Sequence, residues 1–315
     1  MESPKIVFMG TPDFAVASLK ALVEKEYNIV GVITAPDKPA GRGRKINTSA
    51  VKKYAESVGL NLLQPEKLRD EEFLEKLKSL NADLQIVVAF RMLPKIVWDM
   101  PKLGTFNLHA SLLPQYRGAA PINWAVINGE TKTGVTTFLL NDKIDEGNIL
   151  LQAEVKIDIK DDTGIVHDKL MNEGTNLILK TVDGLHSNKL SPKKQMESNN
   201  LKPAPKIFKE DCKIDWNKDI MSVYNHIRGL SPFPGSWSKL SNGEIETEVK
   251  ILKTNFVIEG HNLQHGIVKT DKKNIRIAVN NGFLDIVELQ IAGKKRMKSA
   301  DLLNGYKFSE NAKMH

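Results

Sequence analysis

The stretch KIVFMGTPDFAVASLKALV, residues 5–23, decides how the fold is read. Ile6–Met9 reads as a strand, and Gly10-Thr11-Pro12 as the turn that ends it. Pro12 suits the first position of a helix, because its missing N–H has no partner to lose there. Ala15, Leu19, Leu22 and Val23 then recur at helical spacing. Strand followed by helix is the unit from which parallel sheets are built.

Working outward, the unit repeats. Ile29–Ile33 reads as a second strand, and Leu84–Ala89 is apolar except for Gln85, as expected for a strand covered on both faces. Thr105–Leu108 and Val135–Leu140 read as further strands. Helical stretches fall near 49–57, 71–79, 119–127 and 164–182. The expectation is an α/β domain, a Rossmann-like, mostly parallel sheet with helices on both faces, over residues 1–188. The first turn is Gly10-Thr11-Pro12-Asp13-Phe14-Ala15, so the Gly-x-Gly-x-x-Gly fingerprint of a nucleotide-binding dehydrogenase is absent.

The character changes near Ser187. Residues 189–206 hold Ser, Asn and Lys with Pro192, Pro203 and Pro205, and read as a linker. A helix near 220–228 follows, then short β-like runs near 249–252, 266–269, 275–279 and 283–290, with turn signals such as Asn280-Asn281-Gly282. Short strands punctuated by turns suggest a small OB-like β-barrel over 207–315.

Composition bounds the function. The 315 residues are 41% hydrophobic and 26% charged, which is ordinary for a soluble protein of two domains. Cys212 is the only cysteine, so no internal disulfide forms, and the sequence has no Cys/His metal spacing. No metal is expected. With no signal-peptide pattern and no apolar run near membrane-span length, a reducing, cytoplasmic setting without membrane association is expected, and the chain is expected to act as a monomer. The net charge is +7, and from Lys206 onward 18 basic residues face 13 acidic ones. That excess suits a module that docks on a polyanion, although a solvated basic surface would have the same composition.

The chemistry concentrates after the expected strand at Thr105. Asn107 and His109 lie two apart at its end, so they point to one side. In open α/β sheets the crevice beyond the carboxyl ends of the strands binds ligands. A His and an amide presented there can polarise a carbonyl and hold the oxyanion formed on attack. A lone Asn-x-His is more often a hydrogen-bonded turn, but here the strand ending at Leu140 exits into Asn141-Asp142-Lys143-Ile144-Asp145-Glu146-Gly147. Asp145 can order a histidine or take a proton from an attacking amine through water. Gly147 permits a sharp turn, and Asp142 and Glu146 read as solvated or capping acids.

NLHASLLP (107–114), QYRGAAPINWAVINGE (115–130) and DEGNIL (145–150) resemble the catalytic domain of enzymes that transfer formyl from 10-formyltetrahydrofolate. Ala35–Lys45, APDKPAGRGRK, resembles the loop that methionyl-tRNA formyltransferases insert after their second strand. The segment from Pro205 through Leu302-Leu303-Asn304 resembles that family's appended β-barrel, so the resemblance covers essentially the whole chain.

The resemblance implies a catalytic trio of Asn107, His109 and Asp145. It implies a pterin framed by Val88, Ala89, Phe90, Arg91, Met92 and Leu93, by Ser111, Leu112, Leu113 and Pro114, and by Asn141 and Asp142. It implies folate as formyl donor, methionyl initiator tRNA as acceptor, and tRNA contact by Lys38, Arg42, Arg44 and Lys45. Arg91 departs from the pattern, since the family has glycine there. A formyltransferase for a small amine needs neither the basic loop nor the barrel, and an RNA-binding module without catalysis leaves the trio unexplained. Of the other histidines, 167 reads as a surface or packing residue, and 226, 261 and 265 as occasional RNA contacts.

Overall fold

The computed structural model describes residues 3–40, 45–196 and 199–315. The chain begins with β1 (Ile6–Gly10), α1 (Asp13–Glu24), β2 (Ile29–Ile33), β3 (Lys38–Ala40), β4 (Lys45–Asn47), α2 (Ala50–Ser57), β5 (Leu62–Leu63), α3 (Glu71–Ser79) and β6 (Leu84–Val88). Next come α4 (Lys95–Trp98), β7 (Thr105–His109), α5 (Pro121–Ile127), β8 (Lys132–Leu139), β9 (Ile149–Lys156) and α6 (Thr163–His186). The last third holds α7 (Ile220–Gly229), β10 (Ser236–Asn242), β11 (Ile245–Ile258), β12 (Val268–Thr270), β13 (Ile275–Val279), β14 (Gly282–Ile291), β15 (Met297–Lys298), α8 (Ser299–Leu303) and β16 (Lys313–Met314).

These elements form two compact units. The first comprises Met1–Gly118, Gly134–Val155 and His167–Pro203; the second comprises Ala119–Thr133, Lys156–Val166 and Ala204–His315. Two short pieces of the first half of the chain, 119–133 and 156–166, thus group with the barrel.

In the first unit seven strands lie in the order β5-β2-β1-β6-β7-β8-β9. Every residue of β1 is buried, as is every residue of β6. The pairs β2–β5, β1–β2, β1–β6 and β6–β7 are parallel, and β7–β8 is antiparallel. Gly10 sits opposite Val88, and Val88 opposite Leu108, so the carboxyl ends of β1, β6 and β7 finish together. The helices start where local chemistry allows. Ser49 accepts the backbone N–H of Lys52, and Asp70 that of Phe73. Pro12 is the residue before α1 rather than its first residue. Gly10 lets α1 close on β1, because a Cβ there would stand 2.6 Å from the Ala15 Cβ. Val7, Met9, Ile33, Val87, Leu93 and Val97 fill the core beneath α3, with Phe73 and Leu77.

The second unit is a closed antiparallel barrel with helices packed on it. Its sheet runs β12-β13-β14-β11-β10-β16, with β15 on β14, and a bridge between Ile267 and Lys313 joins the two ends. Closure removes the exposed edges that an open sheet would leave. Val249, Ile251, Ile275, Ile277, Leu284 and Leu289 fill its interior and pack with Ile220, Val223 and Ile227 of α7.

Helix α5 belongs here because α7 holds it. The Gly229 carbonyl accepts from the Asn123 amide (2.8 Å) and the Thr163 hydroxyl (2.7 Å). The Arg228 guanidinium donates to the Asp161 carbonyl (2.8 Å), and the Tyr224 hydroxyl to that of Ile159 (3.0 Å). A Cβ at Gly229 would stand 2.8 Å from the backbone nitrogen of Ile127, too close for either helix to remain in place. Gly229→Ala is therefore expected to destabilise the protein by about 1–3 kcal/mol. Denaturant unfolding reads this directly, and an unchanged midpoint would mean that α7 does not hold α5 at this contact.

Candidate active site

His109 is the last residue of β7, pairing with Thr136 of β8. Its side chain is only 7% exposed and that of Asp145 only 14%, with His109 Nδ1 3.9 Å from Asp145 Oδ2. One turn fixes both groups. The His109 Nε2–H donates to the Tyr116 carbonyl (2.8 Å), and the Gly118 N–H donates to Asp145 Oδ2 (3.0 Å). A carbonyl can only accept, so the proton of neutral His109 sits on Nε2 and the Nδ1 lone pair faces Asp145. When Nδ1 gains a proton, the imidazolium has a carboxylate beside it and a carbonyl behind it. The arrangement can therefore pick up and hand on one proton with little rearrangement. Asn107 lies two residues back on the same face of β7 and is half-buried.

The loop carrying Asp145 is held in an unusual conformation. Asp145 is left-handed (φ 53°), as is Tyr116 (φ 60°). Non-glycine residues rarely sit there, and such strain gathers at functional sites. Gly147 is needed for a different reason from the sharp turn expected of it. Its φ is not positive, but a Cβ would fall 1.6 Å from the Leu139 carbonyl oxygen, so only glycine lets the loop return against β8.

A second network stiffens the floor. The Thr136 hydroxyl donates to the Ser111 carbonyl (2.7 Å) and accepts the Leu113 N–H (3.1 Å). The Gln152 amide reaches both the Leu113 carbonyl and Thr136 Oγ1 at 2.9 Å. The Ser111 hydroxyl donates to the Gln115 carbonyl (2.6 Å), which tightens the turn leading to Tyr116.

The residues expected to frame a pterin divide by burial. Val88, Leu93, Ser111 and Leu113 bury their side chains, so their backbone is what they can offer a ligand. Phe90, Leu112 and Pro114 are half-buried, whereas Ala89, Met92, Asn141 and Asp142 are exposed. Lys95, the first residue of α4, lies 4.0 Å from Asp142 in the loop after β8. Ala89 is left-handed (φ 47°), so the positive φ falls on residue 89 and residue 91 needs no glycine. Arg91 turns its guanidinium onto the carbonyls of Pro65 and Glu66 and lies 5.5 Å over the Phe90 ring. Burial draws its pKa below the ordinary guanidinium value.

The basic loop is described only at its base. Lys38 and Lys45 sit in the antiparallel pair β3–β4, while Arg42 and Arg44 lie outside the described residues. Asp37 anchors that base. It accepts from Lys52 Nζ (2.6 Å) and from the Gln64 amide (3.0 Å), and these bonds hold its carboxyl below the usual carboxylate range.

The remaining histidines take other roles. His167 stacks edge-on against Phe14. His261 donates from Nε2 to the carbonyls of Val279 and Gly282 and accepts the Leu263 N–H on Nδ1. His226 buries its Nε2, and burial lowers its pKa. His265 lines a groove in the second unit with Trp216 and Lys313. Sequence reasoning missed Gln195 and Arg117. Gln195 is 5% exposed and hydrogen-bonds the Asp145 loop, yet it stands in a stretch whose composition is that of a linker.

Comparison with known proteins gives the family. The family model described as formyl transferase matches residues 4–182, and the one described as formyl transferase, C-terminal domain, matches residues 206–307. A methionyl-tRNA formyltransferase of Bacteroides thetaiotaomicron is 56% identical, covering 100% of this chain and 99% of its own. Another, of Flavobacterium johnsoniae, is 53% identical over all of both chains. Among solved structures, an N-formyltransferase from Helicobacter canadensis in complex with folinic acid and dTDP-3-aminofucose superposes with a TM-score of 0.66. It is 20% identical, with 90% of this chain and 98% of that one covered, and this is a likeness of fold. The chain belongs to the formyltransferase family and, by identity above one half over its full length, to the methionyl-tRNA formyltransferases within it.

Proposed function

We propose that this chain transfers the formyl group of 10-formyltetrahydrofolate to the α-amino group of methionyl initiator tRNA, acting as a monomer in the cytoplasm. The observation that carries the chemistry is the His109–Asp145 pair held on either side of one turn at the carboxyl end of β7. The full-length likeness to methionyl-tRNA formyltransferases carries the choice of acceptor.

The reaction asks little of the protein beyond alignment, charge stabilisation and one proton. The amine nitrogen bonds to the formyl carbon, the bond from that carbon to N10 breaks, and one proton passes from the amine to N10. An α-amine titrates near pH 8 and lower still beside an ester, so a useful fraction is neutral at pH 7. Asn107 supplies an N–H to the oxygen that becomes negative. Asp145 takes the amine proton, directly or through water, and protonated His109 stabilises the oxyanion through Nδ1–H.

Residues 1–188 form the catalytic domain in this reading, 189–206 the connection and 207–315 the RNA-docking domain. The basic excess after Lys206 supports docking. So does a cluster of lysines on aromatic rings: Lys209 lies 5.1 Å and Lys213 5.9 Å from the Trp237 ring, and Lys206 lies 5.4 Å from that of the exposed Phe208. Lys38, Arg42, Arg44 and Lys45 contact the acceptor end in this reading, and Asp37, beside Lys38, is anchored by Lys52 and Gln64. No described helix is long and apolar enough to cross a membrane.

His109→Ala and Asp145→Ala are each expected to lower turnover by on the order of 10²–10³-fold, with melting temperature nearly unchanged. Turnover near that of the parent protein in either variant removes the pair from the chemistry. Arg42→Ala is expected to lower kcat/KM for charged tRNA while folate affinity stays unchanged, and Arg42→Lys to recover part of the loss. An equal loss of folate affinity would place the loop in the folate site instead.

A further inference from the structure

The polar stretch between the two sequence domains does more than connect them. Lys193 exchanges both backbone hydrogen bonds with Ile149 (2.8 Å each), which lays the segment alongside the start of β9. Further on, the Lys202 carbonyl accepts the Tyr116 N–H (2.7 Å), and the Lys202 N–H donates to the Gln115 side chain (2.8 Å). Residues 193 and 202 thus flank the Asp145 loop and the Tyr116 turn.

Gln195 lies between them with its amide fully used. Its Nε2 donates to the carbonyls of Asp145 (2.8 Å) and Gly147 (2.9 Å). Its Oε1 accepts from Arg117 Nε (3.1 Å) and from the terminal nitrogen Nη2 (2.7 Å). Two carbonyls on one side and a guanidinium on the other leave one orientation for the amide. The other terminal nitrogen of Arg117 pairs with Glu146 (3.2 Å). Arg117 itself stands between Tyr116, which fixes His109, and Gly118, which fixes the Asp145 carboxylate. Gln195 and Arg117 therefore join the backbone of the Asp145 loop to the turn that orients both reacting groups.

We infer that Gln195 is a positioning residue for formyl transfer, holding the left-handed Asp145 beside His109 at the place from which its carboxylate takes the amine proton. The side chain is buried and, among the described residues, bonds backbone carbonyls and Arg117, so it acts through Asp145. The inference rests on the reading of His109 and Asp145 as the proton-carrying pair. A charged or apolar side chain cannot replace it. Glutamate keeps the Arg117 contact but turns an acceptor toward two carbonyls, and leucine offers neither half.

The test is a double-mutant cycle in the full-length protein, following formyl transfer to methionyl-tRNA with kcat and both KM values measured separately. Gln195→Leu and Gln195→Glu are each expected to lower kcat by about 10- to 100-fold, the scale of a misplacement near 1 Å, with both KM values within about twofold of the parent. Glutamate should be no better than leucine although it keeps Arg117 paired. In an Asp145→Asn background, adding Gln195→Leu should bring no further loss, because its partner group is already gone. Parental kcat in Gln195→Glu would overturn the inference, as would a full multiplicative loss in the double variant. Full activity in Asp145→Asn alone would instead defeat the catalytic assignment, so the two failures are distinguishable.

Discussion

Three residues of backbone, Tyr116 to Gly118, carry the constraint on which the site depends. The Tyr116 carbonyl accepts the His109 Nε2–H and the Gly118 N–H donates to the Asp145 carboxylate, so one turn sets the tautomer of one group and the direction of the other. Neither bond needs a side chain from the turn, which is why the geometry rests on dihedral angles. Tyr116 is left-handed, and Gly118 has φ 126°, open only to glycine. The sheet supplies the rest. β7 delivers His109 at its carboxyl end, and β8 returns antiparallel to bring the Asp145 loop back beside it.

Much of this was legible in the sequence, for identifiable reasons. Ile6–Gly10 and Leu84–Val88 are buried on both faces, and continuous apolar runs announce that condition. Ser49 and Asp70 cap helices whose starts were placed from composition and spacing. Strand β9 was missed although residues 151–156 alternate apolar and polar, the pattern of a half-buried strand; at this sheet edge only Leu150 is buried. Strand β10, Ser236–Asn242, was missed because three of its seven residues are serines, two of them buried and hydrogen-bonded. Helix α5 looked like part of the first domain by order along the chain, whereas its partner is α7, about a hundred residues later. Contacts of that range leave no periodic trace.

The candidate site divides in the same way. Asn107, His109 and Asp145 were readable because strand ends, residue types and motif order agree. The work of Gln195 and Arg117 was not, since glutamine in a Lys/Ser/Asn stretch has the composition of solvated chain, and only its burial reveals its partners. Arg91 shows the reverse case. It departs from the family pattern at a position where the left-handed residue is in fact Ala89, and its guanidinium is taken up by the carbonyls of residues 65 and 66.

The central claim is that the Tyr116 carbonyl fixes the proton of neutral His109 on Nε2, leaving Nδ1 to exchange protons beside Asp145. The ¹⁵N chemical shifts of the His109 imidazole, assigned by comparison with a His109→Gln variant and followed across pH, report this directly. The account predicts that the neutral imidazole carries its proton on Nε2, with Nδ1 bare. A neutral form protonated on Nδ1, with Nε2 bare, would contradict it, because the Tyr116 carbonyl has no proton to give.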